Sequence, residues 1–192
     1  MRVRPERPQE PLRVLFVCTA NISRSPYAER RAAHLSAAGP LHGLHLSSAG
    51  VPGFPGNPMD PAMLRELEAR GGDARGHLSR SVSAEVLDAA DVVITVEFAH
   101  RMRITELWPH HAPKVFGLRQ LADALGRRAG VAPGLAALDS ALGVARPDSL
   151  TWDVADPYKR GAAAARRCAD EIDEALAVIV PGLTGIPVLR GN

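Results

Sequence analysis

Cysteine is scarce in this chain: Cys18 and Cys168 are the only two among 192 residues. Two thiols cannot build a disulfide scaffold, and no C-x-x-C pair occurs. His42 and His45, and the adjacent His110-His111, lack companion ligands at zinc spacing, so the sequence predicts no metal site and no cofactor. Lysine is as scarce, with Lys114 and Lys159 alone, and the positive charge is almost entirely arginine. Arg30-Arg31, Arg127-Arg128 and Arg166-Arg167 are scattered pairs that read as solvated helix faces, and the net charge is only +2. That balance is too mild to argue for a nucleic-acid partner. No apolar run approaches the ~20 residues of a membrane span, so no membrane insertion is expected. Met1 to Pro11 is charged and proline-rich, without the apolar stretch of a signal peptide. It reads as a disordered tail, and a cytoplasmic location is expected. A hydrophobic content of 46% over this length fits one globular domain with a sizeable core.

The most informative stretch is Val14-Leu15-Phe16-Val17-Cys18-Thr19-Ala20-Asn21-Ile22-Ser23-Arg24-Ser25-Pro26. An apolar, β-prone run ends in a cysteine, an arginine follows six positions on, and Ser-Pro opens a helix-like segment. A loop of this size can curl around one tetrahedral oxyanion. Its backbone N–H groups, from Thr19, Ala20, Asn21, Ile22, Ser23 and Arg24, would point inward, and the following helix N-terminus adds partial positive charge. The planar fork of Arg24 can grip two oxygens of the anion. Cys18 would lie at the bottom of the cradle, and the same field favours its thiolate. A thiolate aimed at phosphorus is the chemistry of a cysteine-dependent phosphatase. A strand-end cysteine alone would read as a small buried hydrophobe; the combination with loop, arginine and helix start points elsewhere.

Strand and helix alternate along the chain. Arg13–Val17 reads as a strand, followed by a helix with Ser25 as N-cap, Pro26 at its first position and an end near Ala38. Leu44–Ser48 reads as a second strand and Val51–Pro58 as a Gly/Pro-rich loop. Asp60-Pro61 starts a helix that ends near Gly71-Gly72. Ser83–Ala90 is a short helix, Val92–Val96 a strand buried on both faces, Phe98–Leu107 a helix and Lys114–Gly117 a fourth strand. The last helix runs from Gly161 to about Val180. Cys168 lies at helical spacing with Ile172, Ala175, Leu176 and Ile179, which predicts a buried, inert thiol. Leu118 to Leu150 is Ala/Gly/Leu-rich and partly helical. This order implies a three-layer α/β fold with a short, about four-stranded parallel sheet and the cysteine loop at the C-terminal end of the first strand. The domain is expected over residues 12–181, with an insertion around 118–150 and a tail over 182–192.

Phosphoryl transfer to a thiolate needs an acid for the leaving oxygen, and the same group can later activate water. Asp156-Pro157-Tyr158, in the loop before the last helix, is the foremost candidate, with Asp153 as rival. Asp-Pro alone would be an ordinary turn start. Pro157 stiffens the backbone, and Tyr158, with Trp152, can wall the entrance.

These motifs together resemble those of the low-molecular-weight protein tyrosine phosphatases, bacterial type. Members carry V-C-x-x-N-x-C-R-S-P near the N-terminus and D-P-Y before the final helix. The corresponding residues here are Val17 to Pro26 and Asp156-Pro157-Tyr158. Ser48-Ala49-Gly50 resembles the S-A-G turn, His77-Leu78-Ser79-Arg80 the H-x-[AS]-R element, and Phe54 falls where an aromatic lines the pocket. The resemblance implies that Cys18 is the nucleophile, that Arg24 binds phosphate and stabilises the transition state, and that Asp156 is acid and then base. It also implies that Ser25 hydrogen-bonds the thiolate and that Asn21, Ser48 and His77 hold the loop in shape. Asn suits such a cradle because it tolerates left-handed backbone.

Two positions depart from the family pattern. Ser23 stands where many members carry a second cysteine able to form a reversible disulfide with the nucleophile. Ala20 replaces the usual glycine, at a cost of about 1 kcal/mol if the position needs φ > 0. The sequence therefore predicts metal-free hydrolysis of phosphate monoesters, foremost phosphotyrosine in proteins, through a phosphocysteine, with a monomer as the default state. An arsenate reductase of the same fold and a catalytically weak phospho-ligand binding protein are the alternatives.

Overall fold

The computed structural model describes residues 11–37, 43–127, 133–142 and 150–185. The expected N-terminal tail, except Pro11, and the C-terminal tail beyond residue 185 lie outside them. Four strands form one parallel sheet: β1 (Leu12–Cys18), β2 (Leu44–Gly50), β3 (Val92–Thr95) and β4 (Val115–Gly117), in the order β2-β1-β3-β4. The chain leaves β1 for β2 on one side and later returns to β3 on the other. The C-terminal ends of β1 and β3 therefore flank the crevice where open α/β sheets bind ligands.

Alternation along β1 builds two cores, because successive side chains leave opposite faces of a strand. Val14, Phe16 and Cys18 join Val92 and Ile94 beneath α1 (Arg24–Ala37), α2 (Pro61–Ala69) and α7 (Ala162–Thr184). Leu15 and Val17 join Val93 and Val115 on the other face, beneath α3 (Ala84–Asp88) and α4 (Phe98–Leu107). The result is the expected three-layer α/β arrangement. Within 118–150, α5 (Leu118–Gly126) and α6 (Leu135–Leu142) put Leu121, Ala124, Leu138 and Ala141 into the same core as Ile172 and Ile179 of α7. Residues 128–132 and 143–149 of that segment lie outside the described ones.

Two local expectations shift and a third stands. First, α1 begins at Arg24, not after Ser25, so the cap position passes to Ser23, whose carbonyl accepts the first helical N–H, from Tyr27, at 3.3 Å. Ser25 does not cap because its hydroxyl is engaged with the loop described below. Second, α7 continues past Val180 to Thr184 because Leu183 is buried in the core. Gly185 ends it in the left-handed region, φ 73°, with its N–H on the Pro181 carbonyl at 2.7 Å. Third, Cys168 lies in the buried stripe as expected, and burial pushes its thiol up to about 12. Among the described residues no helix is long and apolar enough to cross a membrane.

Candidate active site

The loop from Cys18 to Ser23 is bound from outside, carbonyl by carbonyl. The Cys18 oxygen accepts from Val51 N–H (2.8 Å), Thr19 from Gly53 (2.9 Å) and Ala20 from Phe54 (3.2 Å). The Asn21 oxygen meets His77 Nε2 at 3.0 Å, Ile22 accepts from Asp60 N–H at 2.7 Å, and Ser23 accepts from Tyr27. In a trans peptide the C=O and the next N–H point in opposite directions. Carbonyls bonded away from the loop leave the N–H groups that follow them facing the other way. The Asn21 N–H shows that direction, lying 3.3 Å from Cys18 Sγ.

Asn21 is the hinge of this curl. Its φ is +61°, one of two positive values at non-glycine residues among those described. Ala20 is not one of them, so the strain conditionally expected there does not arise. The Asn21 side chain crosses to neighbouring elements: Nδ2 donates to Ser25 Oγ (3.0 Å) and Ser48 Oγ (2.8 Å), and Oδ1 accepts from Arg80 N–H (2.9 Å). Ser25 Oγ lies 3.0 Å from Cys18 Sγ, and Ser48 Oγ donates to Glu29 Oε2 at 2.5 Å. Asn21, Ser25, Ser48 and His77 thus meet at the loop. Arg80, the arginine of the H-x-[AS]-R element, and Glu29, which no motif marks, complete the set. Gly50 explains the S-A-G turn: an added Cβ would lie 2.7 Å from the Thr19 carbonyl oxygen, inside the backbone of the loop.

Arg24 lies beside the loop at 1% exposure. One terminal nitrogen bonds Glu97 Oε1 and the Val154 carbonyl oxygen (2.9 Å); the other lies 3.3 Å from Asp156 Oδ2 and 3.5 Å from Thr19 Oγ1. Burial on its own would lower the Arg24 pKa, but Glu97 and then Asp156 outweigh it and raise it above the usual arginine value. The guanidinium is therefore a fixed cation. Arg24 Nε and Ser23 Oγ are buried without a hydrogen-bond partner in the protein. Such donors are costly unless an anion takes them. Loop 153–156 is stapled to the end of β3: Val154 N–H donates to the Val96 carbonyl (2.9 Å) and Asp153 Oδ1 accepts from Phe98 N–H (2.6 Å) at the start of α4. Asp153, the rival acid, is thus used to position a helix, whereas Asp156 reaches the arginine.

Glu97 and His100 are absent from the motif reading, although an acidic residue just past β3 at the crevice is a usable signal. His100 Nε2 lies 2.8 Å from Thr19 Oγ1, and Nδ1 is buried without a partner. Burial, and then the Arg24 charge, push His100 down to about 4. The unfolded chain takes this proton near 6.5, so between these values it binds more protons than the folded one, and stability falls as pH drops through the window. The contribution is on the order of 3 kcal/mol. Urea unfolding at stepped pH should therefore show His100→Gln with a shallower loss between pH 6.5 and 4 than wild type. Equal slopes would remove His100 from the acid response.

Phe54 and Tyr158 are 60% and 42% exposed. The Phe54 backbone is tied to the loop through Ala20, and Tyr158 N–H donates to Asp156 Oδ1 at 3.2 Å. Phe54 thus stands beside the loop and Tyr158 beside Asp156, both exposed. Trp152 is half-buried in a 3₁₀ turn, Leu150–Trp152.

Residues 13–132 match the family model described as low molecular weight phosphotyrosine protein phosphatase. The chain is 32% identical over 108 residues to the low molecular weight protein-tyrosine-phosphatase Etp of Escherichia coli K12, covering 56% of this chain and 67% of Etp. It is 34% identical over 113 residues to a protein-arginine-phosphatase of Geobacillus stearothermophilus, covering 59% and 73%. Among solved structures it superposes on a low molecular weight protein tyrosine phosphatase from T. tengcongensis with a TM-score of 0.70 at 27% identity, over 90% of this chain and 99% of that one. The cysteine loop, the sheet order and a match over most of the chain agree: this chain belongs to the low molecular weight phosphotyrosine protein phosphatase family.

Proposed function

We propose that this chain hydrolyses phosphotyrosine in proteins, with Cys18 as nucleophile, Arg24 as the phosphate clamp and Asp156 as general acid and then base. The observation that carries the reading is the run of bonded carbonyls from Cys18 to Ser23, with the Asn21 N–H 3.3 Å from Cys18 Sγ. A phosphate monoester bound there offers its phosphorus to Sγ while Arg24 and the amides of residues 19–24 neutralise the oxygens. The S–P bond forms as the bond to the leaving oxygen breaks, and Asp156 gives that oxygen its proton. Water then attacks phosphorus, Asp156 takes the water proton, and the thiolate leaves. Arginine and amides supply the positive charge, so the step calls for no metal. Phe54 and Tyr158 form the walls that suit a flat phosphotyrosyl ring. Tyrosine-phosphorylated proteins as partners and the cytoplasm as location belong to the same proposal.

Two other readings have less support. Arsenate reduction needs further thiols to pass electrons, and the second cysteine, Cys168, is buried with a raised pKa. Binding without turnover needs neither thiol nor acid, yet both flank Arg24. The likeness to an arginine phosphatase favours a second substrate, phosphoarginine. Peptides carrying phosphotyrosine, phosphoserine or phosphoarginine separate these readings. Phosphotyrosine should lead in kcat/KM by at least about tenfold; a lead for phosphoarginine would reassign the substrate.

The acid has its own signature. Asp156→Ala should lower kcat on p-nitrophenyl phosphate by about 10²–10³. A variant that keeps the wild-type rate would take Asp156 out of the mechanism.

A further inference from the structure

We propose that His110, His111 and Asp88 form a binding site for a divalent transition-metal ion, at the end of the sheet opposite the active site. In sequence the histidine pair lacks a companion. The fold supplies one: Asp88 is the last residue of α3, and the histidines lie in the 3₁₀ turn Pro109–Lys114 that leads into β4. Both segments precede their strands, so the cluster sits at the N-terminal edge of β3 and β4, whereas Cys18 and Glu97 lie at C-terminal ends.

One ligand atom from each residue lies within 4.8 Å of the other two. His111 is 4% exposed, and its Nε2 makes no hydrogen bond. That nitrogen is nevertheless 3.3 Å from Asp88 Oδ1. The pair is close but not aligned donor to acceptor. This is the relation expected of two atoms that converge on a third. A tetrahedral ion with bonds of about 2.0–2.1 Å holds its ligand atoms roughly 3.3–3.4 Å apart. The His110 ring stands 4.0 Å from that of His111, centroid to centroid, and is exposed, so its nitrogen is free to close the remaining gap. Imidazole and carboxylate suit zinc, copper or nickel, and three protein ligands leave a fourth position for water.

The frame that carries these ligands is already fixed. Lys114 Nζ donates to the Leu87 and Ala90 carbonyls, each at 2.8 Å, and so clamps the 3₁₀ turn to the end of α3 on both sides of Asp88. The lysine charge opposes a nearby cation, and Asp88 and Asp91 offset it. An ion here would pin the turn that feeds the edge strand β4 without entering the reaction.

The test uses the full-length Cys18→Ser protein, in which the loop thiol no longer competes for metal, stripped with chelator and desalted. Calorimetric titration with Zn²⁺ should give about one equivalent bound, with a rise in unfolding temperature. His110→Gln and Asp88→Asn, both at exposed positions, should each weaken zinc binding at least about tenfold. His111→Gln should do the same if circular dichroism shows it folded. Unchanged zinc affinity in the two exposed variants, or no binding by the parent, overturns the site.

Discussion

Replacing Cys18 with serine should lower turnover of p-nitrophenyl phosphate by a factor on the order of 10⁴–10⁶, with the protein still folded. The loss is chemical. Serine is close in size and can accept the same Asn21 N–H and meet the same Ser25 hydroxyl that Sγ meets at 3.3 and 3.0 Å. Cys18 is 2% exposed at the end of a central strand, so the substitution neither opens a cavity nor disturbs the sheet. What disappears is the sulfur nucleophile; a serine hydroxyl at this place has no base beside it. Inorganic phosphate should still bind, because the amides and Arg24 are untouched. Measured with EDTA present, residual turnover within tenfold of wild type would point to a different nucleophile.

Arg24→Lys should cost about 10²–10³ in kcat, although the formal charge is kept. The guanidinium here does several things at once. One terminal nitrogen is held by Glu97 and the Val154 carbonyl, the other faces Asp156 and Thr19, and Nε remains for the anion. A single ammonium cannot satisfy three directions, so lysine leaves either Glu97 or the phosphate without a partner. Stability should drop as well, because the loop 153–156 loses its tie to α1. Arg24→Ala should be worse on both counts. The decisive comparison is Glu97→Gln: if Glu97 only positions the arginine, kcat falls less than in Arg24→Lys and the pH profile keeps its shape. A lysine variant with wild-type kcat would show that charge alone suffices.

How much of this was legible in the sequence follows from where each signal resides. The cysteine loop was legible because a strand end, a left-handed Asn and an Arg at fixed spacing are local facts. Asn21 at φ +61° is the physical form of that signal. Strand and helix order was legible from periodicity, down to α4 over Phe98–Leu107. The position of the α1 cap was not, because Ser25 looked like a capping serine and is instead recruited by Cys18 and Asn21. Glu97, His100, Glu29 and the Asp153 contact with α4 depend on partners far away in sequence, and no spacing announces them. The same holds for Asp88 beside His110-His111, which is why the histidine pair reads as unaccompanied until the chain is folded. Ala20 shows the reverse: the family pattern raised a concern that backbone angles dispose of.

The most direct test is to catch the intermediate. The Asp156→Ala protein, mixed with an aryl phosphate whose leaving group needs no proton, should form the phosphoenzyme and hydrolyse it slowly. Rapid acid quench, proteolysis and mass spectrometry should then find one phosphoryl group, on the peptide that carries Cys18 and on its sulfur. The same experiment with Cys18→Ala should yield no labelled peptide. Phosphate on another residue, or turnover without any phosphoenzyme, would contradict the account.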